Sequence, residues 1–393
     1  MNTENIEMKK LINEMFNNSY DFQELKNVIK DKDFIIYGAG NLGSLAVEIL
    51  GNIDIYPKYI VDKNKNLEGK KINGIDVIHP EKLSLNDKEN SVFVISIVKI
   101  PFNNIKDDLL KLGCKYIYPF YDITNILTET NINNGWLLED LSENTKHNII
   151  DVYNGFKDKE SKLHYLQWLY WRICRKEVKC NDINTENKFF IDEIKSILSN
   201  DEVYIDIGSY EGQTIVEFIN SVDGKFKGII GFEPDAKSYE SLYNSIKNIE
   251  NEYTGNIETF RYAIGECNKE GYISETLGMA NNIKNSKNEF YSSKISIMSL
   301  DEFEFRQDPT FIKIHAEGME YEAIKGGINT ILKYRPVIVI TTYHNEDGIC
   351  KIPKFLMDNT SNYEFYYRLH GYCGTQSVLY VIPKERQYKG DKK

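Results

Sequence analysis

The chain has 393 residues, 41% hydrophobic and 27% charged, with 48 basic against 59 acidic side chains and a net charge of −11. At about 150 residues per domain this is two to three domains with cores of their own, which excludes a single small module. The acidic balance argues against general nucleic-acid or anionic-membrane binding, where a basic face is expected. Along the chain, residues 8–30 read as a helical lead-in, with Leu11, Met15 and Phe16 at helical spacing. DFIIYGAGNLGSLAVEIL follows: a short apolar strand, a glycine turn and a helix from Leu42 to Leu50. YPKYIVD and SVFVISIV supply two further strands, KINGIDVIHPEKL a small hairpin and helix start, and NIKDDLLKLG a helix before the strand KYIYPF. Strand and helix in alternation predict a parallel α/β unit over 31–125.

Residues 126–195 change character. Polar sequence with isolated apolar anchors leads into KLHYLQWLYWRICRK, where Leu163, Leu166, Leu169, Tyr170 and Ile173 fall at helical spacing. This predicts a helical connector whose aromatic stripe packs in a core between domains. A second α/β unit is expected over 196–393. Its strands are EVYIDIG, GIIGFEPD, IETFRYAIGE, TFIKIHAEG and PVIVITTYH, closed by YEFYYRLH and SVLYVIPK as an antiparallel hairpin. The six cysteines form no CxxC pair, the start MNTENIEMKK lacks a signal-peptide apolar core, and no apolar run approaches the ~18 residues of a membrane span. The expectation is a cytoplasmic protein with reduced thiols and no membrane span.

The first glycine turn, GAGNLG, sets glycines at 38, 40 and 43, with Asp62 at the end of the next strand, 19 residues beyond Gly43. That is the dinucleotide fingerprint in its expected strand–turn–helix context. Gly38, Gly40, Gly43 and Asp62 are therefore candidates for a nucleotide-type loop. The unit lacks the second mononucleotide half of a full dehydrogenase domain, so a Rossmann shape with a structural role stands beside NAD(P) or another nucleotide-like ligand.

The second turn, DIGSYEGQT, is not GxGxxG. Asp206 and Gly208 end a strand, Gly212 closes the turn, and Glu233 ends the next strand 25 residues after Gly208. An acidic turn repels a pyrophosphate and suits a cofactor with a cationic amino-acid portion, such as S-adenosylmethionine. Gly208 lets the chain approach it, Asp206 orients its amino-acid end, and Glu233 accepts from both ribose hydroxyls. Ser209 and Tyr210 sit in the same turn.

With YIDIGSYEGQTIVEF, GFEPDAKSYESL, SLDEF, FIKIHAEGMEYEAIKGG, RPVIVITTYH and YYRLH followed by VLYVIP, the sequence from about 200 to 385 resembles the FkbM-type S-adenosylmethionine-dependent methyltransferases. The resemblance implies a seven-stranded methyltransferase sheet with an antiparallel last strand, preceded by a Rossmann-like nucleotide-binding-type domain. It implies methyl transfer to a hydroxyl, often on a sugar. Asp206, Gly208 and Gly212 fall on its cofactor loop, Glu233 on the ribose position and Ala263 near the adenine side. Glu317, Gly318 and Glu320 fall on its acidic strand-four motif. One departure stands out. Where the family reads Lys-x-Asp-x-Glu-Gly, this chain has Lys313, His315 and Glu317. His315 is then a general base or substrate-binding group, a tolerated swap, or a mark of impaired catalysis.

His315 and His344 follow predicted parallel strands and are expected to converge at the carboxyl-end crevice. With Glu317 they form the catalytic set. Arg368 and His370 are candidates for substrate binding, and Lys313 for pairing with Glu320 or another carboxylate. No cluster has zinc spacing, and no metal is assigned; a divalent ion on Glu317 and neighbouring carboxylates is the alternative. The expected activity is O-methylation of a sugar hydroxyl on a bacterial surface-polysaccharide precursor or related small molecule, by a chain able to form a homodimer. The alternatives are a nucleotide-sugar or NAD-dependent enzyme run by the first turn, and a catalytically impaired binding protein.

Overall fold

The computed structural model describes residues 3–127, 134–274, 283, 287 and 291–387. It forms two compact units. One comprises Met1–Leu141, Leu166–Cys180 and Gly371–Thr375, the other Ser142–Tyr165, Asn181–His370 and Gln376–Lys393. The stretch read from sequence as a connector is thus shared out between them, and its residues 128–133 lie outside the described ones.

The first unit opens with helices Thr3–Asn17 and Gln23–Val28. Its strands are β1 Phe34–Tyr37, β2 Tyr59–Val61, β3 Lys71–Ile72, β4 Ile75–Ile78, β5 Val92–Ile95 and β6 Tyr116–Pro119, in the order β3-β4-β2-β1-β5-β6. All pairings are parallel except the β3–β4 hairpin. β1 and β5 are buried at every position, as continuous apolar runs in a covered parallel sheet should be. Gly43 lies in the helix Asn41–Gly51. A Cβ there would stand 2.0 Å from the Gly38 carbonyl oxygen, so only glycine allows this close strand–helix approach. The aromatic stripe also belongs to this unit. Trp168 and Arg172 both donate to the Gly374 carbonyl, and Trp171 packs with Cys373 and Phe93.

The second unit holds β7 Val203–Ile207, β8 Gly228–Phe232, β9 Asn256–Phe260, β10 Ala263–Gly265, β11 Lys269–Ser274, β12 Tyr291–Ser299, β13 Phe311–Ile314, β14 Val337–Thr341, β15 Tyr363–Leu369 and β16 Ser377–Pro383. Seven of these build one sheet, ordered β15-β16-β14-β13-β7-β8-β9. β16 runs antiparallel to both neighbours, and the remaining pairings are parallel. IETFRYAIGE, expected as one strand, is two: β9 stays in the large sheet, while β10 joins β12 and β11 in a separate three-stranded sheet. Tyr204, Phe218, Phe190 and Phe311 anchor the core, with Tyr204 and Phe218 stacked at 4.3 Å between ring centroids. Full burial of each such side chain stabilises by about 2–3 kcal/mol.

The strand order reverses direction between β7 and β13. In open parallel sheets that switch point, at the carboxyl ends of the strands, is where a ligand crevice forms. Among the described residues no helix is long and apolar enough to cross a membrane. All six cysteines are free.

Candidate active site

A cavity of about 330 Å³ opens at the carboxyl ends of β7, β8 and β13. The turn after β7 makes one wall. Gly208 has φ +75°, and a Cβ there would lie 1.9 Å from the His315 carbonyl oxygen, so two turns of neighbouring strands touch through a glycine. The Gly208 and Ser209 amides both donate to the Phe232 carbonyl, which ties the turn to the end of β8. Gly208, Ser209 and Tyr210 line the cavity. Gly212 does not line it; it stands at the N-cap of the helix Gln213–Ser221 with φ +96°.

Glu233 lines the cavity just beyond β8. Its two carboxylate oxygens accept from the Tyr210 and Asp235 backbone amides, each at 2.9 Å. Burial raises its pKa to about 7 against the opposing pull of those amides. Ala263 and Ile264 of β10 contribute an apolar side, together with Ile207 and Met319.

Asp206 is not on the wall. Its carboxylate is fully buried and pairs with Lys313 Nζ at 2.8 Å, opposite it in the β7–β13 register. Lys313 also donates to the Gly208 carbonyl at 2.7 Å. The expectation that Asp206 faces the cofactor is therefore corrected: a buried ammonium needs a counter-ion, and Asp206 holds the lysine that holds the turn. Lys313 takes Asp206, not Glu320, as its partner.

The opposite wall is polar. His315 and Glu317, in the turn after β13, line the cavity, and His344 is buried behind them beyond β14. Glu317 Oε1 is 3.1 Å from His315 Nε2, and Glu317 Oε2 is 3.4 Å from His344 Nε2. The two imidazole rings lie nearly parallel, 16° apart, at 5.1 Å between centroids. Glu317 sits at φ +48° and Gly318 at φ +102°, a left-handed turn that a glutamate adopts only where its surroundings hold it. That holding group is Glu320, which accepts from the Ala316 and Gly318 amides, Thr341 Oγ1 and His344 Nδ1.

The electrostatics divide the histidines. Burial disfavours a charge on His344, but Glu317 and Glu320 outweigh it and push its pKa up to about 10. With no cation beside it, it is protonated at neutral pH, and a metal ion on Nε2 would displace that proton. The associated stabilisation is complete below its unfolded value near 6.5 and is lost as pH rises through about 10. Burial, and then the Lys188 charge, push His315 down to about 3, so it is neutral. Burial raises Glu317, but the two imidazoles hold it well below the usual carboxylate range.

Arg368 and His370 lie away from this cavity. Arg368 is 1% exposed and bonds to Asp158 at 2.8 Å, Glu193 at 2.7 Å and Ser161 at 2.7 Å. His370 is buried against the Tyr380 hydroxyl at 2.7 Å. The substrate-binding reading of both is corrected: strand alternation in β15 turns Arg368 into a carboxylate cluster instead. Asn187, Lys188 and Phe189 line the cavity from the segment ahead of β7. No motif marks them, and their placement depends on tertiary packing alone.

In the first unit Asp62 Oδ2 accepts from the Ala39 amide at 2.8 Å, and Oδ1 from the Asn64 amide at 2.7 Å. The glycine loop and its acidic residue thus meet, with the carboxylate engaged by backbone. A cavity of about 210 Å³ beside it is lined by Asp62, Lys63, Tyr37 and Asp108. A Cβ on Gly40 would meet open space.

Residues 206–371 match the methyltransferase FkbM domain. Among solved structures, the chain is similar to methyltransferase FkbM from Methylobacillus flagellatus KT, with 16% identity, a TM-score of 0.65, and coverage of 96% of this chain and 99% of that one. Partial likenesses reach precorrin-6Y C5,15-methyltransferase from Geobacter metallireducens GS-15, at 17% identity and TM-score 0.29 over 51% of this chain and 92% of that one. They also reach RSP, solved with β-NAD+ and operator DNA, at 25% identity and TM-score 0.21 over 25% of this chain and 48% of that one. Likenesses that partial bear on neither fold nor function. No curated protein matches the sequence. The likeness over nearly the whole chain supports the fold, and the matched segment carries the assignment: residues 206–371 form a methyltransferase FkbM domain, of the type that works with S-adenosylmethionine.

Proposed function

We propose that the protein transfers the methyl group of S-adenosylmethionine to a hydroxyl of a sugar or glycan precursor. The observation that carries this reading is one cavity with Glu233 on one wall and the His315–Glu317 pair on another. The wall residues suit the cofactor. Glu233 keeps acceptor capacity for a ribose diol beyond its two backbone bonds. The 208–210 turn offers close backbone approach, and Ala263, Ile264 and Met319 offer apolar surface for an adenine ring.

When bound, S-adenosylmethionine supplies a methyl on a sulfonium. The chain's own part is to hold an acceptor hydroxyl in line with it. Glu317 and His315, both weakly basic here, would accept a hydrogen bond from that hydroxyl and orient it, and its proton would leave to solvent as the methyl is transferred. Asp206 and Lys313 hold the 208 turn, and Glu320 and His344 hold Glu317 from behind. The net charge of −11 disfavours a nucleic-acid acceptor. A polyhydroxylated acceptor suits the carboxylate and imidazole wall.

The test is calorimetry with S-adenosylmethionine, followed by an acceptor screen with radiolabelled cofactor. The expected outcome is binding, then label in the methyl ether of a sugar, with S-adenosylhomocysteine as co-product. Label confined to protein, nucleic acid or an amine would overturn the acceptor assignment.

A further inference from the structure

We propose that His315 Nε2, a Glu317 carboxylate oxygen and His344 Nε2 bind one divalent transition-metal ion at the cavity wall. Sequence spacing conceals this set, because its third ligand comes from a different strand end. One ligand atom from each residue falls within 4.8 Å of the others. Ligands at ~2.1 Å around a tetrahedral ion stand about 3.4 Å apart. The Glu317 oxygens lie 3.1 Å from His315 Nε2 and 3.4 Å from His344 Nε2, which is that scale.

Two independent observations point to a ligand. His344 has 1% of its side chain exposed, and its Nε2 makes no well-formed hydrogen bond, with Glu317 Oε2 3.4 Å away. Buried polar atoms are rarely left so, and an ion would satisfy this one. Its other nitrogen, Nδ1, is 2.6 Å from Glu320 Oε1. A carboxylate on the far nitrogen of an imidazole is the usual support of a metal-ligating histidine, since it sets ring orientation and tautomer. Glu320 is itself fixed by Thr341 and by the Ala316 and Gly318 amides.

Two imidazoles with one carboxylate favour zinc, iron, cobalt or manganese over magnesium or calcium, which take mainly oxygen ligands. Because His315 and Glu317 line the cavity, open positions on the ion face the space assigned to the acceptor. An acceptor hydroxyl taking such a position would lose its proton more readily. This catalytic role rests on the O-methylation reading; the site itself does not.

The test uses the full-length protein after chelation, titrated with Co2+ and followed by its visible d–d absorption, with Zn2+ calorimetry in parallel. One equivalent should bind with nitrogen–oxygen ligand bands, and excess Zn2+ should abolish them. His344→Gln and Glu317→Gln should remove the bands. Glu320→Gln, a positioning change, should weaken binding by about 10- to 100-fold. Circular dichroism and S-adenosylmethionine binding report whether each variant is folded. Absence of cobalt bands in folded wild type, or unchanged bands in folded His344→Gln, overturns the site. If the ion binds and no hydroxyl is ever methylated, the proposed function fails and the site stands; if a metal-free protein methylates at full rate, the catalytic role fails alone.

Discussion

His344 Nδ1 lies 2.6 Å from Glu320 Oε1, and both groups are buried. This contact joins the turn after β13 to the turn after β14. Four donors converge on the Glu320 carboxylate: two backbone amides, one hydroxyl and this imidazole. Glu320→Gln leaves one acceptor oxygen and turns an amide group against at least one donor. Stability should fall by about 1.5–3 kcal/mol, the range for hydrogen bonds to a charged group. Urea unfolding measures it, and a loss under 0.5 kcal/mol, about the size of a surface change, would mean that the convergence is not stabilising.

Cofactor binding should depend on pH through Glu233. Burial raises this carboxyl to about 7, so the empty protein loses stability as pH rises from about 4.3 through 7. A carboxylate accepts from both hydroxyls of a ribose, whereas the acid accepts less and donates. Affinity for S-adenosylmethionine should therefore weaken about tenfold for each unit below pH 7 and level off above it. Calorimetry across that range checks this, and a flat profile would place the ribose elsewhere.

Gly208→Ala and Gly40→Ala form a contrasting pair. At Gly208 the φ of +75° and the 1.9 Å approach to the His315 carbonyl both oppose a Cβ. Left-handed strain alone costs about 1–3 kcal/mol, and the clash adds to it by moving one wall of the cavity. Gly208→Ala should lower the melting temperature and abolish cofactor binding. Gly40 has open space and φ −85°, so Gly40→Ala should stay within about 0.5 kcal/mol of wild type.

Arg368→Met tests the corrected role of that residue. The guanidinium is buried among Asp158, Glu193 and Ser161, and its removal strands those carboxylates. Breaking a buried pair costs about 3–5 kcal/mol. Asp158 and Glu193 are about one-third exposed, which screens them and favours the lower end, about 3 kcal/mol. Denaturant unfolding should show this loss, with cofactor affinity unchanged in the folded protein. A normal stability with a raised acceptor KM would restore the substrate-binding role.

The sequence by itself determined the two α/β units, the closing antiparallel hairpin, the glycine turn at Gly208 and the acidic residues beyond strand ends at Glu233 and Glu317. These follow from local causes: apolar runs that must be buried, glycines where the backbone turns left-handed, and acidic residues at strand ends. Tertiary structure decided the partners. Asp206 looked like a cofactor ligand until the β7–β13 register placed Lys313 opposite it. Arg368 and His370 looked like substrate-binding residues, but the packing of Asp158, Glu193 and Tyr380 claims them. The meeting of His315, Glu317 and His344, with Glu320 behind, depends on which strands are neighbours in the sheet. Periodicity and turn chemistry act over a few residues, whereas the 24-residue separation of Glu320 and His344 is closed only by the long-range pairing of β13 with β14.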